Sequence, residues 1–256
     1  MRDVVSLGVA RHSRWDQFMR TRPTLFATLL ALAVSGVFLA PAEAALPTCF
    51  GQTVTIMGTD GDDTLTGDAA VRDVIYGGLG NDTIVGGDFY DNGTEPDLLC
   101  GGPGNDRVKG ARGNDKLNGG DGDDFVDGSN GVDIEQGNAG NDRVGFGSFA
   151  DADSAADTMR GGPGNDYMVA GFGNDKVYGQ GGNDQLYDQE CEATLLNGGT
   201  GTDYLESFWS SYGGEPCHFI ADNIVGGDGV DTAKVDSLDT VSTVENVTRV
   251  SSLTPA

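Results

Sequence analysis

Positive charge is what this 256-residue chain has least of: 15 lysines and arginines stand against 40 aspartates and glutamates, a formal net charge of −25. That shortage disfavours nucleic acid and anionic membrane as partners, whereas a hard divalent cation would satisfy so acidic a surface. Hydrophobic residues reach only 38% and aromatics 8%, a composition that ordinarily points to disorder. Histidine occurs twice and cysteine four times, with no Cys-x-x-Cys pair or His–Cys cluster at zinc-like spacing. A zinc site is therefore disfavoured. No His-Glu-x-x-His and no Gly-x-Ser-x-Gly is present, which argues against metalloprotease and lipase chemistry.

Only one long apolar run occurs, from about Leu25 to Ala40, preceded by Arg11, Arg14, Arg20 and Arg22 and followed by Ala42-Glu-Ala44. It reads as a secretory signal, residues 1–44, with an A-x-A cleavage site; Met19 is an alternative start. The other reading is an uncleaved anchor, but the run is shorter than the roughly 20 residues a spanning helix needs. Without residues 1–44, which carry five arginines and three acids, 10 basic residues face 37 acidic ones. The C-terminal Ser-Ser-Leu-Thr-Pro-Ala256 holds no wall-sorting tail, and Leu46-Pro-Thr48 before Cys49 lacks a lipoprotein pattern. The expected product is extracellular, with no membrane span in its mature part.

What the chain does have is order. Gly77-Gly-Leu-Gly-Asn-Asp-Thr-Ile-Val85, Gly101-Gly-Pro-Gly-Asn-Asp-Arg-Val-Lys109 and Gly161-Gly-Pro-Gly-Asn-Asp-Tyr-Met-Val169 are nearly interchangeable nine-residue blocks. A strict short period belongs to a solenoid, in which one unit cannot bury its apolar face without neighbours. Clean blocks begin at Gly58, Gly77, Gly101, Gly110, Gly119, Gly137, Gly161, Ala170, Gly179, Gly198 and Gly226, with longer or degenerate ones between them. Most of the latter re-enter the pattern through an aspartate and an apolar residue, as at Asp73-Val-Ile75, Asp97-Leu-Leu99, Asp157-Thr-Met159 and Asp222-Asn-Ile224. Glycines at positions one, two and four suit the positive φ and close approach of a tight turn. Turn carbonyls and the position-six carboxylate offer the oxygens that calcium prefers. Positions seven to nine predict a short strand with position eight inward: Leu65, Ile84, Val108, Leu117, Val126, Val144, Val177, Leu186 and Leu205. Glu135 breaks that column, and Ile134 is expected to take the inward role through a local shift.

These blocks resemble the RTX, or haemolysin-type calcium-binding, repeat family over roughly Gly58 to Lys234. The resemblance implies an all-β fold, a right-handed parallel β-roll in which each block makes half a turn and calcium ions lie between turns on the same edge. Counting from Gly58, every odd block is clean and every insertion falls on an even block. One edge should then be an unbroken file of nine turns with Asp63, Asp82, Asp106, Asp124, Asp142, Asp166, Asp184, Asp203 and Asp231 as ligands, leaving eight gaps for ions. The other edge should be irregular, with good turns only at Asp115 and Asp175 and a partial one at Asp133. Phe50–Ile56 is expected to form a first strand capping the coil, within an N-terminal segment 45–57, and residues 235–256 to close it with a terminal strand or two.

The four cysteines suggest disulfides. Cys191 and Cys217 fall in adjacent turns of one edge, and Cys49 and Cys100 would pair across about two coils; three connectivities are formally open. The insertion Ser207-Phe-Trp-Ser-Ser-Tyr212 could present Phe208, Trp209 and Tyr212 to a carbohydrate or protein, or simply pack over the roll beside Cys217. His218 reads as a loop residue, and Asn92 and Asn246 head glycosylation sequons. A glycosidase-like carboxylate pair is not called for, because nearly every aspartate holds a repeat position. The expected function is calcium-dependent folding of a secreted, non-enzymatic binding protein, with an adhesin the alternative and a cryptic hydrolase or lyase behind it.

Overall fold

A computed structural model describes residues 47–68, 70–87, 95–145, 155–188, 192–207 and 221–249. The expected signal segment, Cys191, Cys217, His218, the Phe208–Tyr212 loop and the Asn92 sequon lie outside these residues.

The chain alternates between two ten-stranded sheets. The first sheet runs from Thr64–Thr66 through Thr83–Val85, Arg107–Arg112 and Phe125–Asn130 to Thr232–Val235 and Asn246–Arg249. The second runs from Ile56–Met57 through Val74–Tyr76, Leu98–Pro103 and Lys116–Asp121 to Asn223–Gly229 and Thr240–Ser242. Every pairing within the two sheets is parallel and joins strands one full coil apart. This is the parallel β-roll expected from the repeat, and the C-terminal segment closes it with one strand on each sheet.

Parallel register places position eight above position eight. Leu65 pairs with Ile84, Ile84 with Val108, and Val108 with Val126 on the first sheet. Ile75, Leu99 and Leu117 follow one another on the second. These columns face each other as one thin core. Each of the other expected inward residues is fully buried, and Leu65 in the first coil is partly so. Outward side chains stack from coil to coil: Arg107 lies 4.2 Å from the Phe125 ring centroid, and Tyr187 sits between Tyr167 and Tyr204 at 5.1 and 5.8 Å.

Two expectations are corrected and a third is refined. Glu135 itself occupies position eight, pairing with Leu117 and Met159, and is buried, while Ile134 stays half-exposed. No shift occurs because moving a strand by one residue would turn every side chain to the other face. Second, Phe50–Ile56 is not one strand. Phe50 and Gly51 turn back at positive φ (48° and 75°), so Thr48–Cys49 pairs antiparallel with Gln52–Thr53. This hairpin covers the outer face of the second sheet, where Cys49 joins Val74, Leu98 and Cys100, and it is tied there by the Cys49–Cys100 disulfide. Closing a loop across 51 residues restricts the unfolded chain by about 4 kcal/mol in the chain-entropy description.

Third, the three repeat glycines serve two different needs. Gly120 and Gly122 hold φ of 126° and 136°, as a tight turn requires. Position one, as at Gly119, lies outside the left-handed region; a Cβ there would land on the Asp124 carboxylate. At position two the left-handed backbone is also met by Ala111, Ser129, Asn138 and Gln180.

Gly119→Ala is therefore expected to destabilise the calcium-loaded protein by about 2 kcal/mol through overpacking. Gly61→Ala, where a Cβ meets nothing within 4 Å, should stay within about 0.5 kcal/mol. Denaturant unfolding of both variants checks this; equal effects would refute the close-approach account.

Candidate metal centre

The turn between a second-sheet strand and the next first-sheet strand ends on the position-six aspartate. Its carbonyl accepts the position-seven amide of the following coil, as Arg107 N donates to Asp82 O at 2.8 Å. Its own amide has no carbonyl opposite, and donates instead to the carboxylate of the following aspartate. Asp63 N donates to Asp82 Oδ1, Asp82 N to Asp106 Oδ1, and so on through Asp124, Asp142, Asp166, Asp184 and Asp203 to Asp231, at 2.7–2.9 Å throughout. The sequence separation ranges from 18 to 28 along this file, so the insertions leave the ladder intact. Asp231 N donates to Glu245 Oε2, which ends it. The nine expected aspartates of the first edge are thus brought together in one line.

One oxygen of each carboxylate after Asp63 is occupied by this ladder. The other, Oδ2, is buried without a hydrogen-bond partner at Asp82, Asp106, Asp124, Asp142, Asp166, Asp184, Asp203 and Asp231. Asp124 is 3% exposed and Asp231 fully buried. Leaving a buried carboxylate oxygen unpaired costs several kcal/mol, and the protonation equilibria register it. Burial pushes Asp124 up to about 8, Asp166 and Asp184 to about 7, and Asp106 and Asp142 to about 6, against the lowering effect of the amide bond from the preceding coil. Asp63 differs: its Oδ2 accepts from Thr59 N and Thr59 Oγ1 at 2.6 and 2.8 Å. The first turn therefore meets its own needs.

A second ladder on this edge runs the other way. The position-five amides donate backward: Asn81 N to Asp62 Oδ1, Asn105 N to Asn81 Oδ1, and onward through Asp123, Asn141 and Asn165 to Asn183. This is the role of the asparagine in the Asn-Asp pair, which sequence reasoning passed over although the pair recurs in most clean blocks.

The opposite edge is more regular than expected. Asp73, Asp97, Asp115, Asp133, Asp157 and Asp175 form the same ladder at 2.7–2.8 Å. Thr194 then stands where an aspartate would, and Thr194 N donates to Asp222 and Asp222 N to Asp239. Asp73, Asp97, Asp157, Asp222 and Asp239 were not among the candidate ligands. Their signal was the aspartate followed two residues later by an inward aliphatic, which survives where the turn glycines do not. Burial raises Asp97, Asp115 and Asp222 to about 7.

The donor set is oxygen alone, aimed inward at coil-to-coil intervals of roughly 4.8 Å. Buried anionic oxygens without donors fit a hard cation such as calcium, which takes six to eight oxygen ligands. The RTX calcium-binding nonapeptide repeat matches in four copies, at residues 55–70, 72–92, 101–135 and 151–186. The chain carries RTX repeats. No curated protein matches it. Among the described residues, no helix of this RTX chain is long and apolar enough to cross a membrane.

In the ion-free RTX coil Asp97, Asp106, Asp115, Asp124, Asp142, Asp166, Asp184 and Asp222 keep their protons to higher pH than in the unfolded chain, where aspartate sits near 3.8. Between about pH 4 and 8 the fold holds protons that the unfolded chain has lost, so ion-free stability falls as pH rises. Circular dichroism in calcium-free buffer should show more strand at about pH 4.5 than at about pH 7.5; an equal or reversed signal would contradict the burial of these oxygens.

Proposed function

We propose that this is a secreted, non-enzymatic calcium-binding protein whose folding is coupled to the ion. Asp63, Asp82, Asp106, Asp124, Asp142, Asp166, Asp184, Asp203 and Asp231 form the main file, with Asp115, Asp133 and Asp175 on the other edge. The observation that carries this reading is the row of buried, unpartnered Oδ2 atoms on successive coils. When bound, calcium supplies the positive charge that the composition lacks. The chain's contribution is to hold each carboxylate in place through the amide of the preceding coil and to keep water out with glycine-rich turns. Ion binding then becomes folding free energy. Export through cleavage after Ala44 rests on the arginine-led apolar run and Ala42-Glu-Ala44.

The expected result is little ordered strand in chelator and a cooperative gain at roughly 10⁻⁴ to 10⁻³ M calcium, with disulfides both intact and reduced. An equally folded chelated form would overturn the coupling. Asp124→Asn and Asp142→Asn should each raise the calcium midpoint about three- to tenfold by removing ligand charge. Asp60→Asn, exposed and off both ladders, should leave the midpoint unchanged.

A second reading, a calcium-dependent adhesin, is favoured by the placement of the insertions. Along the sequence, the insertions all come between a first-sheet strand and the next second-sheet strand. Phe208, Trp209 and Tyr212 would supply the contact, for carbohydrate or protein. Glycan or cell binding that survives Trp209→Ala and deletion of 207–216 would remove this site from consideration.

A further inference from the structure

Among the described residues, Glu135 is the one charged side chain in either inward column, with Leu117 and Met159 as its neighbours above and below. One of its oxygens has a structural explanation. At comparable corners the position-one amide donates to a carbonyl of the next coil, as Gly67 N does to Val85 O and Gly86 N to Lys109 O. At Gly128 the following first-sheet strand is only Arg143–Val144, and its pairing stops at Val126–Val144. Gly128 N donates instead to Glu135 Oε1 at 2.9 Å.

That need would be met equally by glutamine, whose amide oxygen accepts without adding charge. The other oxygen, Oε2, requires a different account. It is buried with no hydrogen-bond partner on a side chain that is 2% exposed. The group stands beside two more acids: one oxygen each from Asp133, Glu135 and Asp157 lie within 4.8 Å of one another. Two oxygens on opposite sides of a calcium ion at about 2.4 Å are separated by about the same distance. The three can therefore converge on one ion. Carboxylate-only ligation selects a hard cation of the calcium or magnesium class over zinc or copper. Lys109 pairs with Asp127 at 3.0 Å.

We propose that Asp133, Glu135 and Asp157 form an additional calcium site, built partly from a strand position inside the roll instead of from the turns alone. This rests on the chain being a calcium binder. Its effect would be local: it secures the coil where the first sheet narrows to two residues, using an ion where other coils use backbone pairing.

Calcium stoichiometry of the full chain, measured by calorimetry and by native mass spectrometry, tests the site in wild type, Glu135→Gln and Glu135→Leu. Glutamine keeps an acceptor for Gly128 N, and leucine restores the apolar column, so at least one variant should fold. Each folded variant is expected to bind one ion fewer than wild type. Variants that bind the wild-type number overturn the Glu135 site alone. A wild-type chain that binds no calcium overturns the broader reading and this site with it.

Discussion

The hydrogen bond from one aspartate's amide to the next coil's aspartate carboxylate is the constraint on which the rest of this molecule depends. It holds the side chains of the acids that follow Asp63 at donor–acceptor distances of 2.8–2.9 Å and occupies one oxygen. The second oxygen is turned into a turn so tight that a Cβ added at Gly77, Gly101, Gly119 or Gly137 would land on it. Burial and hydrogen bonding thus act in opposite senses on the same group: the amide favours the charged form, and removal from water disfavours it more strongly. A cation reconciles the two. The geometry is consequently more demanding of an ion than a merely acidic surface would be.

The apolar core cannot supply what the turns withhold. Apart from the coil that carries Glu135, each coil contributes one inward apolar residue per sheet, a thin return on the roughly 18 residues that most coils order. The ends of the roll meet their needs without ions. Thr59 serves Asp63, Ser207 Oγ and Asp236 N both donate to Asp239 Oδ2, and Glu245 accepts from Asp231 N. Ion dependence is therefore concentrated in the interior coils, where both neighbours are repeats.

Much of this was legible beforehand because the determinants are local. Nine residues suffice to show where a turn, an acid and an inward aliphatic must fall, so the first-edge file and the two columns could be numbered from the sequence. Other features depend on the course of a different coil. Register alone turns Glu135 inward, but what its Oε1 accepts from, the Gly128 amide left without a backbone acceptor, depends on how far the next strand extends. The second-edge file at Asp73, Asp97, Asp157, Asp222 and Asp239 holds because strand register, not turn glycine, aligns it. The hairpin at Cys49 was hidden for a similar reason, since the outward pairs Val74–Leu98 and Tyr76–Cys100 create a sticky face only once the sheet exists.

The two amide ladders of the first edge run in opposite directions: position six donates toward the C-terminus and position five toward the N-terminus. An interior turn therefore has its groups satisfied only when the coils on both sides are in place. Removing a coil from the middle severs two sets of bonds, whereas fraying an end severs one. Such a roll should melt like a zipper, from its end coils inward, and a protease would find its first cut in those end coils well before the stacked turns open.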